Sequence, residues 1–335
     1  MSEQFTGLES LEPRLLLSST FTAKDADGDR FTVTVEGPGQ AVVVQQTPDS
    51  KGRGAIQSIQ LSGTDSTSVL TITVKKKVGR GNGIVNVGSI TGGSIGTIDA
   101  IKADLIGNGT NMTGDVGAMT VRRMTNNAAI LVGGVLGQFT ARDVGRATIQ
   151  ASRAGLIDII GAIKKKAKAL MPGNFGARLT LTDTAAPWTL QTLRVKNSIN
   201  GAEVRVAKSI QTVTAATAIN SIIFAGIDAS KSRLPDSESE FVNKAGRIDT
   251  FRLTGAKKAQ FWIASTYVAA WTLNNFEVGF ANPNNAIHNH SEYGAGVGRM
   301  DVFIYTDSSG RKVVNDPANA PLNFPNDFGI RFFDV

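Results

Sequence analysis

The chain has 335 residues and no cysteine, 41% of its residues are hydrophobic, and its formal net charge is +7. This composition provides a sizeable core and excludes general disorder, and the absence of cysteine excludes disulfides and thiolate sites. No apolar run reaches the roughly 18 residues that a transmembrane helix needs. The sequence therefore predicts a folded protein with no transmembrane segment.

The first 19 residues contain no complete signal peptide. A signal peptide starts with basic residues and continues with an apolar core of about 7 to 15 residues. Here the start contains Glu3, and the apolar core is only Leu15-Leu16-Leu17. By these physical criteria the segment by itself does not predict an export signal.

The first motif with metal-binding chemistry is Asp25-Ala26-Asp27-Gly28-Asp29, which lies between two strand-like runs. Carboxylates at positions i, i+2 and i+4 of a bent loop offer the oxygen ligands that Ca²⁺ requires. The glutamate that completes a helix–loop–helix calcium loop is missing. We predict a calcium site at Asp25, Asp27 and Asp29 that pins the first strands. A hairpin with solvated acids is the alternative.

A six-residue phrase recurs along the chain: apolar, glycine or another short or polar residue, any residue, apolar, polar, apolar. Its clearest copies, IGTIDA, VGAMTV and LGQFTA, start at residues 95, 116 and 136. Further copies lie at 56–61, 154–159, 190–195, 210–215, 248–253, 273–278 and 297–302. Side chains alternate between faces within each copy, which predicts a strand. We expect one weaker turn in each of the two wide gaps, 154 to 190 and 210 to 248.

The spacing of these strands favours a solenoid. Intervals of about 20 residues leave too little chain for a strand–helix–strand unit, which needs about 30. Stacked coils of two or three short strands fit this period. We predict an all-β, right-handed parallel β-solenoid (β-helix), with a sandwich or propeller as the alternative. Its predicted parts are an N-terminal segment (1–19), a small β cap (20–82), the solenoid (83–305) and a loop-rich C-terminal cover (306–335).

Positive charge is concentrated between residues 75 and 178, where 15 lysines and arginines stand against five aspartates. A basic stripe would attract acidic polysaccharide, whereas the simpler alternative is a solvated flank that protects strand edges. The segment has almost no aromatic residues, which argues against nucleic acid. The candidate polyanion-binding residues are Lys75, Lys76, Lys77, Arg122, Arg123, Lys164, Lys165 and Lys166.

Both histidines of the chain lie in the run His288-Asn289-His290, with Glu292 close behind. On a strand these three side chains would share a face, which allows a zinc or similar site. Flanking proline, asparagine and glycine residues indicate an exposed loop instead. No residue of the chain can be assigned a catalytic role.

Residues 11–17, LEPRLLL, resemble the LEPR-XLL segment near the N termini of surface and secreted proteins of planctomycete bacteria. Further stretches are similar to the uncharacterised β-repeat proteins of these bacteria. They lie at 20–35, 61–65, 70–74, 179–185, 224–228 and 234–237. The resemblance covers most of residues 8–255. It implies a cell-surface or secreted location and a β-solenoid body, and it implies no catalytic residues.

Two functions follow as hypotheses. The first is a non-enzymatic structural or adhesive component of a bacterial cell surface or extracellular matrix, stabilised by calcium at the acidic run. The alternative is a carbohydrate-active enzyme or a binder of acidic polysaccharide along the basic flank. Other surface proteins and further copies of this chain are the remaining candidate partners.

Overall fold

The computed structural model describes residues 19–107, 109–125, 127–162, 171–255, 262–279, 293–307, 310–315 and 328–332. Within them the fold is all-β, with 27 strands and one short 3-10 helix at Glu238–Glu240. Most strands belong to one large sheet whose pairs are mainly parallel. No helix of this part of the chain is long and apolar enough to cross a membrane. The all-β class is therefore confirmed.

The N-terminal strands are antiparallel to one another. They are β1 (Ser19–Lys24), β2 (Arg30–Glu36), β3 (Gln40–Gln45), β4 (Ile56–Ser62) and β5 (Val69–Lys75). β1 pairs with β2, β2 with β5, and β3 with β4. On their other sides, β4 and β5 pair in parallel with β6 (Val85–Gly92) and β7 (Ile95–Leu105). β4 and β5 are therefore the first strands with a parallel partner, and β3 and β2 are their antiparallel partners.

The strands that follow are mostly short. They are β8 (Thr110–Met112), β9 (Val116–Met124), β10 (Ala129–Val132), β11 (Val135–Ala141), β12 (Asp143–Val144), β13 (Thr148–Ala151), β14 (Arg153–Ile159), β15 (Arg178–Leu181), β16 (Leu190–Val195), β17 (Ser198–Asn200), β18 (Glu203–Val206), β19 (Ile210–Ala215), β20 (Thr217–Ile219), β21 (Ile222–Ala225), β22 (Arg247–Leu253), β23 (Ile263–Ala264), β24 (Tyr267–Gly279), β25 (Tyr293–Asp307), β26 (Gly310–Asn315) and β27 (Phe328–Phe332). β26 and β27 both pair with β25.

One column of parallel strands, the first column, carries the repeated phrase. It runs through β5, β7, β9, β11, β14, β16, β19, β22, β24 and β25. Equivalent positions pair from strand to strand and are almost completely buried: Leu70, Ile98, Met119, Phe139, Ile157, Leu193, Val213, Phe251 and Phe276. Each such side chain contributes about 1.5–3 kcal/mol by leaving water.

Two further columns stand beside the first. The second column is short-stranded and pairs Val87, Leu105, Met124, Val144, Phe175, Ile199, Ala218 and Ile263 in sequence. The third column runs through β4, β6, β8, β10, β13, β15, β18, β21 and β24. Residues of all three columns belong to one hydrophobic core.

The weaker turns expected in the two wide gaps are absent from the described residues, so that prediction is wrong. β14 pairs directly with β16, and β19 pairs directly with β22. The extra described residues in each gap belong to long connections between columns, which we call excursions. The excursion after β21 buries Ile227, Leu234 and Phe241 against Phe224 and Ala269 in a small core of its own.

Two phrase copies lie in strands, as predicted, but not in step with the other copies. The copy at 56–61 lies in β4 and therefore in the third column. In the copy at 297–302, Val297 pairs with Ala270 of the third column, and Met300 is the residue that pairs with Leu273 of the first. The other eight copies occupy the first column.

Glycine at the second position of the phrase allows the strands to approach each other. A Cβ added to Gly117 would lie 2.4 Å from the carbonyl oxygen of Gly96, and one added to Gly137 would lie 2.3 Å from that of Gly117. Gly155 repeats this relation with Gly137. Backbone contact between neighbouring strands therefore explains the residue that the phrase prefers here.

We expect Gly117→Ala to lower the free energy of unfolding by about 1–3 kcal/mol, because the new methyl group must displace the backbone of the preceding strand. Gly93→Ala is the control, since a Cβ there meets nothing within 4 Å. Denaturant unfolding of the two variants makes the comparison. Equal stability of the two would contradict the close-packing explanation.

Candidate functional site

Residues 25–29 form the turn of the β1–β2 hairpin, which we call the acidic turn. The amide of Asp25 donates to the carbonyl oxygen of Asp29 (2.9 Å), and that of Gly28 donates to the carbonyl oxygen of Asp25 (3.0 Å). Gly28 has a φ of +91°, which favours glycine. The hairpin alternative is confirmed for the backbone. The solvated acids of that alternative are not confirmed, because Asp25 is only 5% exposed and Asp29 is 0% exposed.

Asp29 ties the acidic turn to the loop that follows β5. Its two carboxylate oxygens accept hydrogen bonds from the backbone amides of Lys77 and Gly83, each at 2.5 Å. A Cβ at Gly81 would lie 1.6 Å from Oδ1 of Asp29, so glycine is required there. Asp27 adds a bond from the amide of Asn82 (3.0 Å). The buried carboxylate is therefore satisfied by protein donors.

Asp25 and Asp27 interact and have shifted pKa values in opposite directions. Burial, followed by the hydrogen bond with Asp27, raises the pKa of Asp25 to about 7. Burial alone would raise the pKa of Asp27, but hydrogen bonds from Asp25 and from the amides of Asn82 and Asp29 outweigh it and lower that pKa. When the pair holds a single proton, that proton is therefore on Asp25.

The triad has the spacing of a cation site. Ligand oxygens of Asp25, Asp27 and Asp29 all lie within 4.8 Å of one another. Ca²⁺ takes about six to eight oxygen ligands, and several of the oxygens here already accept hydrogen bonds from the protein. Calcium binding at these three residues stays a prediction.

A cavity of about 410 Å³, which we call the basic cavity, lies beside the acidic turn. Nine residues line it, of which eight are cationic and the ninth is Gly28. The eight cations are Lys24, Arg30, Lys51, Arg53, Lys75, Lys76, Lys77 and Arg80. No acidic or aromatic residue is among the nine. The cavity therefore suits an anion.

Strand register places four of these cations in a row. Arg53 bridges to Lys24, Lys24 pairs with Arg30 across the hairpin, and Arg30 pairs with Lys75 of β5. Neighbouring strands are about 4.8 Å apart, so the row is about 14 Å long. Within the described residues, the only salt bridge of the eight cations joins Arg53 to Asp49 (2.5 Å).

The structure therefore brings Lys75, Lys76 and Lys77 of the predicted polyanion set to one cavity. Sequence reasoning missed the other cations that line it, because they occur singly along the chain. One available signal was the acidic turn, since a hairpin closed at that point places Lys24 opposite Arg30.

Arg122 and Arg123 lie in the first and second columns rather than at the basic cavity, and both bind Asp104. Arg122 donates to that carboxylate through Nε (2.6 Å) and Nη2, and Arg123 donates through Nη2 (3.0 Å). Asp104 is 2% exposed. The aspartate cancels one of the two arginine charges, and the polyanion role of these arginines stays a prediction.

Other arginines of the columns pair with acids on neighbouring strands. Arg194 binds Asp158 through Nε (2.9 Å) and Nη2 (2.6 Å), and Arg252 lies 3.2 Å from Glu277. Two groups of predicted site residues lie outside the described part of the chain: Lys164, Lys165 and Lys166, and His288, His290 and Glu292.

In comparisons with known proteins, no family model, curated protein or solved structure matches this chain. The site is therefore interpreted from its own geometry.

We expect the stability of the protein to fall as the pH rises from about 4 to about 7, to the extent that Asp25 controls it. The pKa of Asp25 is raised to about 7 from 3.8, so the folded state binds the extra proton in this window. Asp25→Asn mimics the protonated form and should flatten this fall, whereas exposed Asp99→Asn should not. Thermal unfolding at several pH values tests this. An unchanged pH profile in Asp25→Asn would contradict it.

We expect Asp104→Asn to cost about 3 kcal/mol or more, because Arg122, whose side chain is 14% exposed, loses its counter-charge. Asp158→Asn should cost about 1 kcal/mol or less, since its partner Arg194 is 58% exposed. Chemical denaturation measures both. Equal costs would show that burial of the arginine does not decide the energy.

Proposed function

We propose that the chain is a right-handed parallel β-solenoid that acts as a non-enzymatic structural or adhesive component of a bacterial cell surface or extracellular matrix. One observation carries this proposal: three columns of parallel strands stand side by side around one apolar core. Within a column each strand pairs with the strands before and after it, as in stacked repeat proteins. Parallel crossover connections are right-handed in nearly all known cases, which supports the proposed hand.

Such a stack suits a mechanical role. Ten strands of the first column, spaced about 4.8 Å apart, extend over about 43 Å. The nine paired core positions of the first column are apolar. The carboxylates of Asp104, Asp158 and Glu277 bind arginines of neighbouring strands. These carboxylates strengthen the stack instead of facing a substrate.

The cell-surface or secreted location belongs to the proposal and rests on the resemblance of residues 11–17 to the LEPR-XLL segment. Those residues lie outside the described part of the chain. In this role the candidate partners are acidic polysaccharides, other surface proteins and further copies of the chain.

The second candidate function, a binder of acidic polysaccharide, is favoured by the basic cavity. The sequence suggested a binding flank along the parallel strands. The described arginines of that flank include several that pair with acids, whereas seven of the eight cavity cations form no salt bridge among the described residues. We therefore place polysaccharide binding at the N-terminal end, as part of an adhesive function.

We expect the purified protein to bind surfaces coated with acidic glycans, to ignore neutral ones and to cleave neither. A panel of both kinds of glycan, with calcium present and with calcium chelated, measures retention and the release of shorter oligosaccharides. Weaker retention after chelation would support calcium stabilisation of the acidic turn. Release of oligosaccharides would contradict the non-enzymatic function.

A further inference from the structure

We propose that the basic cavity binds a saccharide chain that carries several sulfate or carboxylate groups, a site that rests on the adhesive part of the proposed function. The cavity places eight cations around about 410 Å³, a volume within the range of known ligand pockets. Its ligand should occupy the row formed by Arg53, Lys24, Arg30 and Lys75.

The row of cations is costly without a ligand. Like charges directly opposite each other on paired strands destabilise the sheet, and here Lys24 lies opposite Arg30 and Arg30 lies opposite Lys75, with no salt bridge to these three cations among the described residues. The register of the hairpin and of β5 fixes these positions, so the backbone cannot separate them. An anion seated across the row would relieve the repulsion at each pairing. This relief is a physical reason for the arrangement to favour a ligand.

The walls of the cavity are held in place before any ligand arrives. Asp29 binds the backbone amides of Lys77 and Gly83, which fixes the loop that carries Arg80. On the opposite side, Arg53 donates through Nε to Asp49 (2.8 Å). Side chains anchored in this way lose less freedom on binding, which favours affinity.

The lining indicates the chemical class of the ligand. Without aromatic residues the cavity has no surface on which nucleic-acid bases could stack. Arg30 and Arg80 offer planar pairs of donors that match the oxygens of carboxylate and sulfate groups, whereas Nε and Nη2 of Arg53 are bound to Asp49. A row about 14 Å long exceeds one small anion. An acidic saccharide with charges on successive units fits these requirements best.

The test compares two double variants that each remove two positive charges. Lys24→Gln/Lys75→Gln alters the ends of the Lys24–Arg30–Lys75 portion of the row. Lys196→Gln/Lys312→Gln is the control, since both lysines are exposed and neither lines the cavity. The probes are a sulfated heparin oligosaccharide, an oligogalacturonate that carries carboxylates alone, and a neutral dextran. Binding is measured by calorimetry at low and physiological salt.

We expect native protein and control to bind at least one acidic probe, and the cavity variant to bind it about tenfold more weakly. The melting temperature of the cavity variant should not fall, because the substitution removes repulsion. The sulfated and carboxylated probes show which oxyanion the site prefers. Arg30→Gln should weaken binding as well and provides a second variant of the same row.

Equal affinity of the cavity variant and the control would overturn the cavity as the site while the adhesive function stands. Failure of the native protein to bind either acidic probe would overturn both. A single-stranded oligonucleotide that competes as well as a saccharide of equal charge would overturn the saccharide assignment.

Discussion

The parallel register of the first column is the interaction on which the rest of the structure depends. Backbone pairing places equivalent phrase positions next to each other, so Ile98, Met119 and Phe139 share one interior. The same register brings Gly96 next to Gly117 and sets Asp158 beside Arg194. Core packing, close backbone approach and ion pairing therefore share one geometric cause. A change in register would disturb all three together.

Strands of the first column were predictable because each has six or more residues, and eight phrase copies with clear alternation fell there. The second column was not predictable, since β12, β17, β20 and β23 have only two or three residues and Phe175 takes part as a single bridge. Interval length also misled: an excursion between columns adds residues without adding a strand. The last phrase copy is out of step with the others because Met300, its fourth residue, pairs with Leu273, the first residue of the preceding copy.

The candidate site was only partly predictable for a related reason. Lys75, Lys76 and Lys77 are adjacent in sequence, so their charge was evident. Lys24 and Arg53 join them through antiparallel pairing and a bridge between distant residues. A run of charged residues in the sequence also does not show which of its charges are neutralised by distant residues. A carboxylate eighteen or more positions away can lie beside a basic pair, and no local pattern shows this.

The excursion after β21 separates two properties that are usually linked in proteins, chain length and core geometry. It leaves β21 and returns at β22, and the pairing of β19 with β22 is unaffected. Its own apolar cluster around Phe241 keeps it folded against Ala269. Excursions of this kind can accept inserted peptides while the strands on either side keep their pairing partners. The scaffold can therefore be diversified, by evolution or by design, at points away from the strands of the first column.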